Sequence, residues 1–178
     1  MIEPLPEFPY HPDPIATGSV VSSDVACVCC GRVRGYIYTC AVYSVADLDD
    51  RLCPWCIADG SAAERYDASF VEGGLGDDVP VEIFSAVDKH TPSFASWQAT
   101  QWFFHCGDGA MFLGPAGAAE LAPFPDALEM LRRELSEWEW PTDQVEHYLS
   151  SLDKNGQPTA YLFRCRVCAT HLAYSDFT

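Results

Sequence analysis

Positive charge is scarce in this sequence. The 178 residues include only ten lysines and arginines against 26 aspartates and glutamates, which gives a formal net charge of −16. Because a protein that binds a phosphate backbone needs a cationic face, this charge disfavours direct binding of DNA or RNA. An acidic chain is suited instead to solubility, or to a basic partner that it attracts electrostatically.

Long apolar runs and the features of a secretory signal are also missing. No run approaches the roughly 20 apolar residues of a membrane-spanning helix. Residues 1–10 are proline-rich and acidic, with neither the basic nor the apolar region of a signal peptide. We therefore expect a cytoplasmic protein with no membrane partner, whose nine cysteines act as metal ligands and free thiols rather than disulfides.

No segment repeats at a fixed period, and the glycine-rich stretch 73–78 lacks the Lys and Ser/Thr of a phosphate-binding loop. A hydrophobic content of 48% and an aromatic content of 13% indicate a folded globule. The prolines near the N-terminus predict an extended arm over 1–24. We expect a single zinc-bound α+β domain over 25–178.

The expected domain has two parts. A zinc-ribbon-like module at 25–70 packs on a mixed body of helices and strands at 80–178, which ends in a Cys-x-x-Cys hairpin. Sequence patterns predict a strand over 35–43, helices over 44–51, 57–66, 80–89 and 142–152, a helix starting near Pro125, a hairpin turning at Gly107-Asp108-Gly109, and strands over 159–163 and 171–174.

Two Cys-x-x-Cys pairs give the strongest signal in the chain. Cys27 with Cys30, and Cys53 with Cys56, each offer two thiolates, and together they complete a tetrahedral four-sulfur zinc site. Iron–sulfur ligation is the alternative metal chemistry, and buried packing thiols are the non-metal alternative. Cys29 lies between two ligands, but the spacing favours Cys27 with Cys30.

A third pair, Cys165 with Cys168, predicts a second zinc ion if other donors join it. Cys106 is the obvious distant thiol, and the fourth donor is to be chosen from His105, Asp108 and His171, with His105 preferred. Neighbours on a strand point to opposite faces, so His105 and Cys106 can bind together only if the backbone turns there. The alternatives are a pair of surface thiols, or a reactive Cys106 thiol beside His105.

Several blocks spread over nearly the whole chain carry a family resemblance. They are Tyr10-His11-Pro12-Asp13-Pro14 with Gly18, Cys27-x-x-Cys30-Gly31, Tyr36-Ile37-Tyr38, Cys53-Pro54-Trp55-Cys56-Ile57-Ala58-Asp59-Gly60-Ser61, Trp102 with Cys106-Gly107-Asp108, and Cys165-x-x-Cys168. Together these blocks resemble the CbrC family of small bacterial proteins. The resemblance implies a zinc-bearing bacterial cytosolic protein, loosely tied to tolerance of a bacteriocin toxin, and it supplies no catalytic residue. Cys29 and Cys40 do not resemble family positions and are interpreted as incidental thiols.

Three classes of function fit these patterns. The first is a zinc-stabilised binding or tolerance protein whose acidic surface attracts a basic partner such as a toxin domain. Its charge lies in clusters, namely Asp77 with Asp78, and Glu134 with Glu137 and Glu139. The second is a metal-dependent hydrolase with an open metal position near Cys106, Cys165 and Cys168. The third is a nucleic-acid-binding zinc ribbon, which the charge disfavours.

Overall fold

The computed structural model describes residues 3–72 and 79–178. Its strands are β1 (Val20–Ser22), β2 (Tyr36–Tyr38), β3 (Phe104–His105), β4 (Asp108–Gly109), β5 (Met111–Ala116), β6 (Thr159–Arg164) and β7 (His171–Asp176). Its helices are α1 (Pro54–Ala58), α2 (Ser61–Tyr66), α3 (Val81–His90), α4 (Ala118–Leu121), α5 (Pro125–Glu137) and α6 (Thr142–Ser151). The predicted α+β class is confirmed: small sheets and helices are mixed, and the cysteine clusters are compatible with a zinc-ribbon-like module. The 73–78 stretch, with Asp77 and Asp78, lies outside the described residues.

A three-stranded antiparallel sheet of order β5-β6-β7 forms the centre of the C-terminal part. Alternate side chains of a strand point to opposite faces, and β6 follows this rule. Tyr161 and Phe163 enter an aromatic core on one face, whereas Ala160 and Leu162 enter a leucine-rich core on the other. Both faces of the central strand are therefore covered, which explains its almost uninterrupted apolar sequence.

A bulge in β5 changes which face its side chains occupy. The register with β6 shifts between Phe112 and Gly114, and Gly114 has a φ of 138°. Phe112 consequently joins the aromatic core while Ala116, four residues later, joins the leucine-rich core. One extra residue in a strand has this effect because side-chain direction alternates with a period of two.

Helices α4, α5 and α6 cover the second face of the sheet. Ala127, Leu131 and Leu135 recur at helical spacing along α5, and all three are buried. They pack with Val145 and Leu149 of α6, so this stripe belongs to the leucine-rich core.

The N-terminal part has its own core around the first two cysteine pairs. Strand β1 pairs antiparallel with β2, and the buried side chains of Val20, Tyr38, Leu52 and Ile57 surround the cysteines. Helix α3 links this core to the rest, because Phe70 donates its N–H to Asp88 O at 2.8 Å. Within the described residues no helix has the length and apolarity needed to cross a membrane.

The described part of the N-terminal arm is packed into the fold. Phe8, Tyr10 and His11 are buried, and the N–H of Phe112 in β5 donates to Tyr10 O at 2.8 Å. The segment ends in β1, which shares a sheet with β2. The division into an arm at 1–24 and a domain at 25–178 stays a prediction.

The helix predicted over 44–51 is wrong. Isolated antiparallel bridges join Tyr43 to Ser69 and Leu52 to Tyr38, so both ends of the segment are held in extended pairing. Asp50 has a φ of 55°, which no right-handed helix accommodates. The predicted 35–43 strand is correspondingly short, since regular pairing ends at Tyr38.

The 57–66 helix is divided in the structure at Gly60, which separates α1 from α2. Its φ is 79°, and an added Cβ would lie 2.4 Å from the His90 ring. The predicted helix over 80–89 is confirmed as α3, the helix near Pro125 as α5 and the 142–152 helix as α6.

His11 provides a test of this packing through pH. Burial lowers the pKa of His11 to about 4, because the buried ring ionises with difficulty. The unfolded chain therefore binds this proton more readily, and the contribution to stability, fully present above about pH 6.5, is lost as pH falls towards 4. We expect His11→Gln to remove roughly 3 kcal/mol of the pH dependence of unfolding free energy across this window.

Denaturant unfolding at several pH values measures this difference. His147→Gln is the matched control, since His147 is exposed on α6. Equal pH slopes for the wild type and His11→Gln would contradict the burial argument.

Candidate metal centres

The first cluster combines a tight turn with the start of a helix. Cys27 and Cys30 flank a turn closed by two backbone hydrogen bonds, from Gly31 N to Cys27 O at 2.7 Å and from Cys27 N to Arg32 O at 2.9 Å. Cys53 precedes α1 and Cys56 lies within it, and Pro54 fixes the backbone at the first helical position. The structure thus brings together all four thiols that the sequence assigned to one site.

The four sulfurs of this cluster all lie within 4.8 Å of one another, and three of their separations fit one tetrahedral ion. They are 3.8 Å for Cys27 to Cys56, 3.9 Å for Cys30 to Cys53 and 3.6 Å for Cys53 to Cys56. A tetrahedral ion with metal–sulfur bonds of about 2.3 Å places its sulfurs about 3.8 Å apart. All four cysteines are free rather than disulfide-bonded, so these residues can hold a metal ion.

The surroundings of the first cluster favour a fixed thiolate. Hydrogen bonding from the Cys53 thiol lowers the pKa of Cys27, and the N–H of Cys53 also donates to Cys27 Sγ at 3.2 Å. Donating that proton raises the pKa of Cys53, and burial adds to the effect. Cys27, Cys53 and Cys56 are buried, whereas Cys30 is exposed.

Side chains of α2 hold the first turn in place. Arg65 donates to Cys29 O at 2.6 Å, and the Tyr66 hydroxyl donates to Val28 O at 3.1 Å. These two carbonyls belong to the residues between Cys27 and Cys30. Helix α2 therefore fixes the backbone that presents both thiols.

The second cluster lies where two hairpins meet. His105 and Cys106 stand at the turn between β3 and β4, and Cys165 and Cys168 stand at the turn between β6 and β7. Cys106 has a φ of 54° and Gly107 a φ of 73°, the pattern of a type I′ hairpin turn. The turn thus falls one residue earlier than predicted, and it bends the backbone at the point that lets His105 and Cys106 face the same site.

The four donor atoms of the second cluster also lie within 4.8 Å of one another, and two of their separations are close to those around a four-coordinate ion. His105 Nδ1 lies 3.2 Å from Cys106 Sγ and 3.5 Å from Cys168 Sγ. Metal–nitrogen and metal–sulfur bonds of about 2.0 and 2.3 Å in tetrahedral geometry give about 3.5 Å. His105, Cys106, Cys165 and Cys168 therefore supply four converging donors that can hold a metal ion.

Asp108 and His171, the other candidates for the fourth donor, have different partners. Asp108 accepts from the Tyr10 hydroxyl at 3.0 Å and pairs with Arg166 at 2.9 Å. His171 lies 3.2 Å from an oxygen of Asp126. Neither belongs to the second cluster.

The two clusters share one backbone design. In the second, Ala169 N donates to Cys165 O at 3.1 Å and Cys165 N donates to Thr170 O at 2.8 Å. These bonds match those from Gly31 N to Cys27 O and from Cys27 N to Arg32 O in the first. Gly31 has a φ of 70° and Ala169 a φ of 63°. The second turn therefore uses an alanine in the left-handed conformation that the first gives to glycine.

The Tyr10–Asp108–Arg166 network was missed in the sequence. Arg166 lies within the third cysteine pair and stacks its guanidinium 4.8 Å from the centre of the Tyr10 ring. Asp108 follows Cys106 by two residues, so the ion pair joins the two halves of the second cluster. The signal in the sequence was the pair of opposite charges, with Asp108 close to Cys106 and Arg166 between Cys165 and Cys168.

The two cysteines outside the clusters are buried. Cys29 lies 3.6 Å from the Ser61 hydroxyl, and burial raises the pKa of Cys40. Neither belongs to either group of converging donors, so both provide matched thiols for comparison.

The fold and the two clusters together define a small α+β protein with two groups of cysteine and histidine side chains, each of which can hold a metal ion. The chain belongs to the Uncharacterised protein family (UPF0167), whose sequence profile matches residues 5–177.

Three bacterial relatives from this family align with nearly the whole chain. UPF0167 proteins of Mycobacterium bovis and Mycobacterium tuberculosis are each 51% identical over 175 residues, covering 97% of this chain and 94% of the relative. A UPF0167 protein of Pseudomonas aeruginosa is 40% identical over 181 residues, covering 100% of both chains. No solved structure matches the chain.

Replacing one donor should remove one ion and leave the other. We expect Cys53→Ala and Cys168→Ser each to lose one metal equivalent, and Cys40→Ala to lose none. Elemental analysis of freshly purified, reduced protein measures the difference. Full metal content in Cys53→Ala would refute the first centre, and full content in Cys168→Ser would refute the second.

The shared backbone design predicts opposite effects of exchanging glycine and alanine. Gly31→Ala should destabilise the protein by about 1 kcal/mol, because an L-residue resists the left-handed region. An added Cβ at Gly31 meets nothing within 4 Å, so conformational strain alone is tested. Ala169→Gly should be neutral to stabilising by up to about 1 kcal/mol. Denaturant unfolding measures both variants, and destabilisation by Ala169→Gly would contradict the assigned geometry.

Proposed function

We propose that this protein is a zinc-stabilised binding protein that acts on a cationic protein partner and is not an enzyme. The observation that carries the metal part is the convergence of four donors in each cluster. Four thiolates, or three thiolates with one imidazole, are typical donor sets of structural zinc. The zinc would be held by Cys27, Cys30, Cys53 and Cys56 at one centre, and by His105, Cys106, Cys165 and Cys168 at the other.

Closed coordination supports a structural role for both ions. A catalytic zinc keeps one position for water or substrate, whereas four protein donors fill a tetrahedral shell. The alternative hypothesis is a metal-dependent hydrolase with its site at Cys106, Cys165 and Cys168. It loses support because His105 can supply a fourth donor there. The bound ions would link segments that are distant in the chain.

The negative charge of the chain supports a cationic partner. The net charge is −16, and each zinc centre would add negative charge, about −2 for four thiolates and about −1 for three. A surface of this sign attracts cationic proteins and repels nucleic acid. A basic toxin domain is one partner of this kind, consistent with the CbrC resemblance, and we propose that the CbrC family and UPF0167 are the same family.

The cytoplasm is the compartment that we propose. All nine cysteines are free in the structure, and seven of them belong to the two clusters. Thiolate donors of this kind persist where disulfides do not form.

Association with such a partner should depend strongly on salt. A cationic protein recovered by affinity capture should associate at least about tenfold more slowly at 0.15 M than at 0.01 M ionic strength, because the Debye length falls from about 30 to 8 Å. Stopped-flow or surface-binding kinetics give the rate constants. A rate indifferent to salt would contradict the acidic-surface mechanism, and reproducible metal-dependent hydrolysis of any substrate would overturn the non-enzyme assignment.

A further inference from the structure

Aromatic rings form a row where α5 ends and the C-terminal residues follow β7. Ring centres are 5.4 Å apart for Trp138 and Trp140, 5.5 Å for Trp140 and Tyr148, and 6.1 Å for Tyr148 and Phe177. Trp138 is 46% exposed and Phe177 is 39% exposed. Neighbouring exposed aromatic side chains are typical of the central residues of a binding surface.

Two depressions flank Phe177 in this row. The smaller has a volume of about 140 Å³ and the larger about 310 Å³. The surface of the larger depression is mostly apolar, and the residues that line it include Trp140 and Tyr148. The smaller is polar as well as aromatic, and its lining includes Gln98, Gln101, Glu134, Trp138, Asp176 and Phe177.

Glu134 gives the smaller depression a carboxylate without a partner. It is half-buried on α5, one helical turn before Trp138, and it makes no hydrogen bond or ion pair with the described residues. Burial raises its pKa, and the neighbouring charge of Glu137 adds to this. The other carboxylate in the depression, Asp176, already accepts from the Tyr161 hydroxyl at 2.9 Å and from Gln98 N at 2.9 Å.

The cationic side chains of α5 are directed elsewhere. Arg132 pairs with Glu146 at 2.6 Å, and Arg133 lines a separate depression that also contains Glu129. Glu137 and Glu139 are exposed beside Trp138. The aromatic row therefore lies in an acidic setting in which Glu134 is available to a cation from outside.

We propose that the smaller depression binds an arginine side chain of the cationic partner, an inference that rests on the proposed function. The guanidinium would stack against Trp138 and Phe177 and donate to the Glu134 carboxylate. Aromatic faces attract cations, and a planar guanidinium satisfies a ring face and a carboxylate together. Arginine should bind more tightly than lysine, because the lysine ammonium is strongly hydrated and has no planar face.

Nona-arginine and nona-lysine amides, each labelled with a fluorophore, are the probes. Fluorescence anisotropy with the full, zinc-loaded chain gives their dissociation constants at fixed ionic strength. We expect Glu134→Gln to weaken nona-arginine binding at least about tenfold, since it removes a charge-assisted hydrogen bond. Glu129→Gln removes the same charge from the same helix outside the depression, and we expect less than a twofold effect.

The aromatic contribution is tested separately. Trp138→Leu should weaken nona-arginine binding severalfold, whereas Trp138→Phe, which keeps a ring, should retain more of the affinity. Thermal unfolding of each variant measures whether the exposed substitution leaves the fold intact.

The outcomes distinguish this site from the general proposal. Binding of nona-arginine that Glu134→Gln and Glu129→Gln weaken equally would overturn the site while leaving the acidic-surface function standing. Equal affinity for nona-arginine and nona-lysine, unchanged by Trp138→Leu, would also overturn it. No binding of either peptide by the wild type would contradict the proposed function as well.

Discussion

Convergence of thiols from distant segments is the constraint on which the N-terminal half depends. Its sheet has only two strands of three residues, and α1 and α2 have five and six residues. Elements this short do not form stable units by pairing alone. Four sulfurs bound to one metal ion would fix the turn at Cys27 against α1, and the surrounding buried residues pack on that fixed point.

The second cluster places the same constraint on a different junction. It joins the short β3–β4 hairpin to the turn between β6 and β7, and the pair of Asp108 with Arg166 joins the same two turns from outside. Tyr10 contacts both charged residues, so the N-terminal segment is tied to this junction as well. Cys106 and Cys168 of the second cluster are both exposed, whereas three of the four cysteines of the first cluster are buried, although both clusters use the same backbone turn.

The cysteine donors were predictable because ligand spacing is a local property of the sequence. Cys27, Cys30, Cys53 and Cys56 follow from their spacing alone, and the structure brings them together. The choice of His105 required the position of a turn, which depends on Cys106 adopting a positive φ. A Gly-Asp-Gly motif suggested a different turn, whereas the observed hairpin pairs Phe104 with Gly109 and His105 with Asp108 and so turns at Cys106 and Gly107.

Features that depend on long-range packing could not be predicted from local sequence patterns. The 44–51 segment begins with Ser44, a residue favoured at helix N-caps, yet bridges from Tyr43 and Leu52 to remote residues hold both of its ends in extended pairing. The prolines beside His11 indicated a solvated or turn-packing residue, and the structure shows it packed, with its ring against Phe112 and a hydrogen bond to Pro92 O. The aromatic row from Trp138 to Phe177 joins residues that only the packing of α5, α6 and β7 brings together.

X-ray absorption at the zinc edge most directly tests the claim that both clusters are closed zinc centres. Protein with two zinc ions per chain should show an average shell of seven sulfurs and one nitrogen shared between two ions, with zinc–sulfur distances of about 2.3 Å. A single zinc ion per chain, or more than one light neighbour (nitrogen or oxygen) for every two zinc ions, would contradict it.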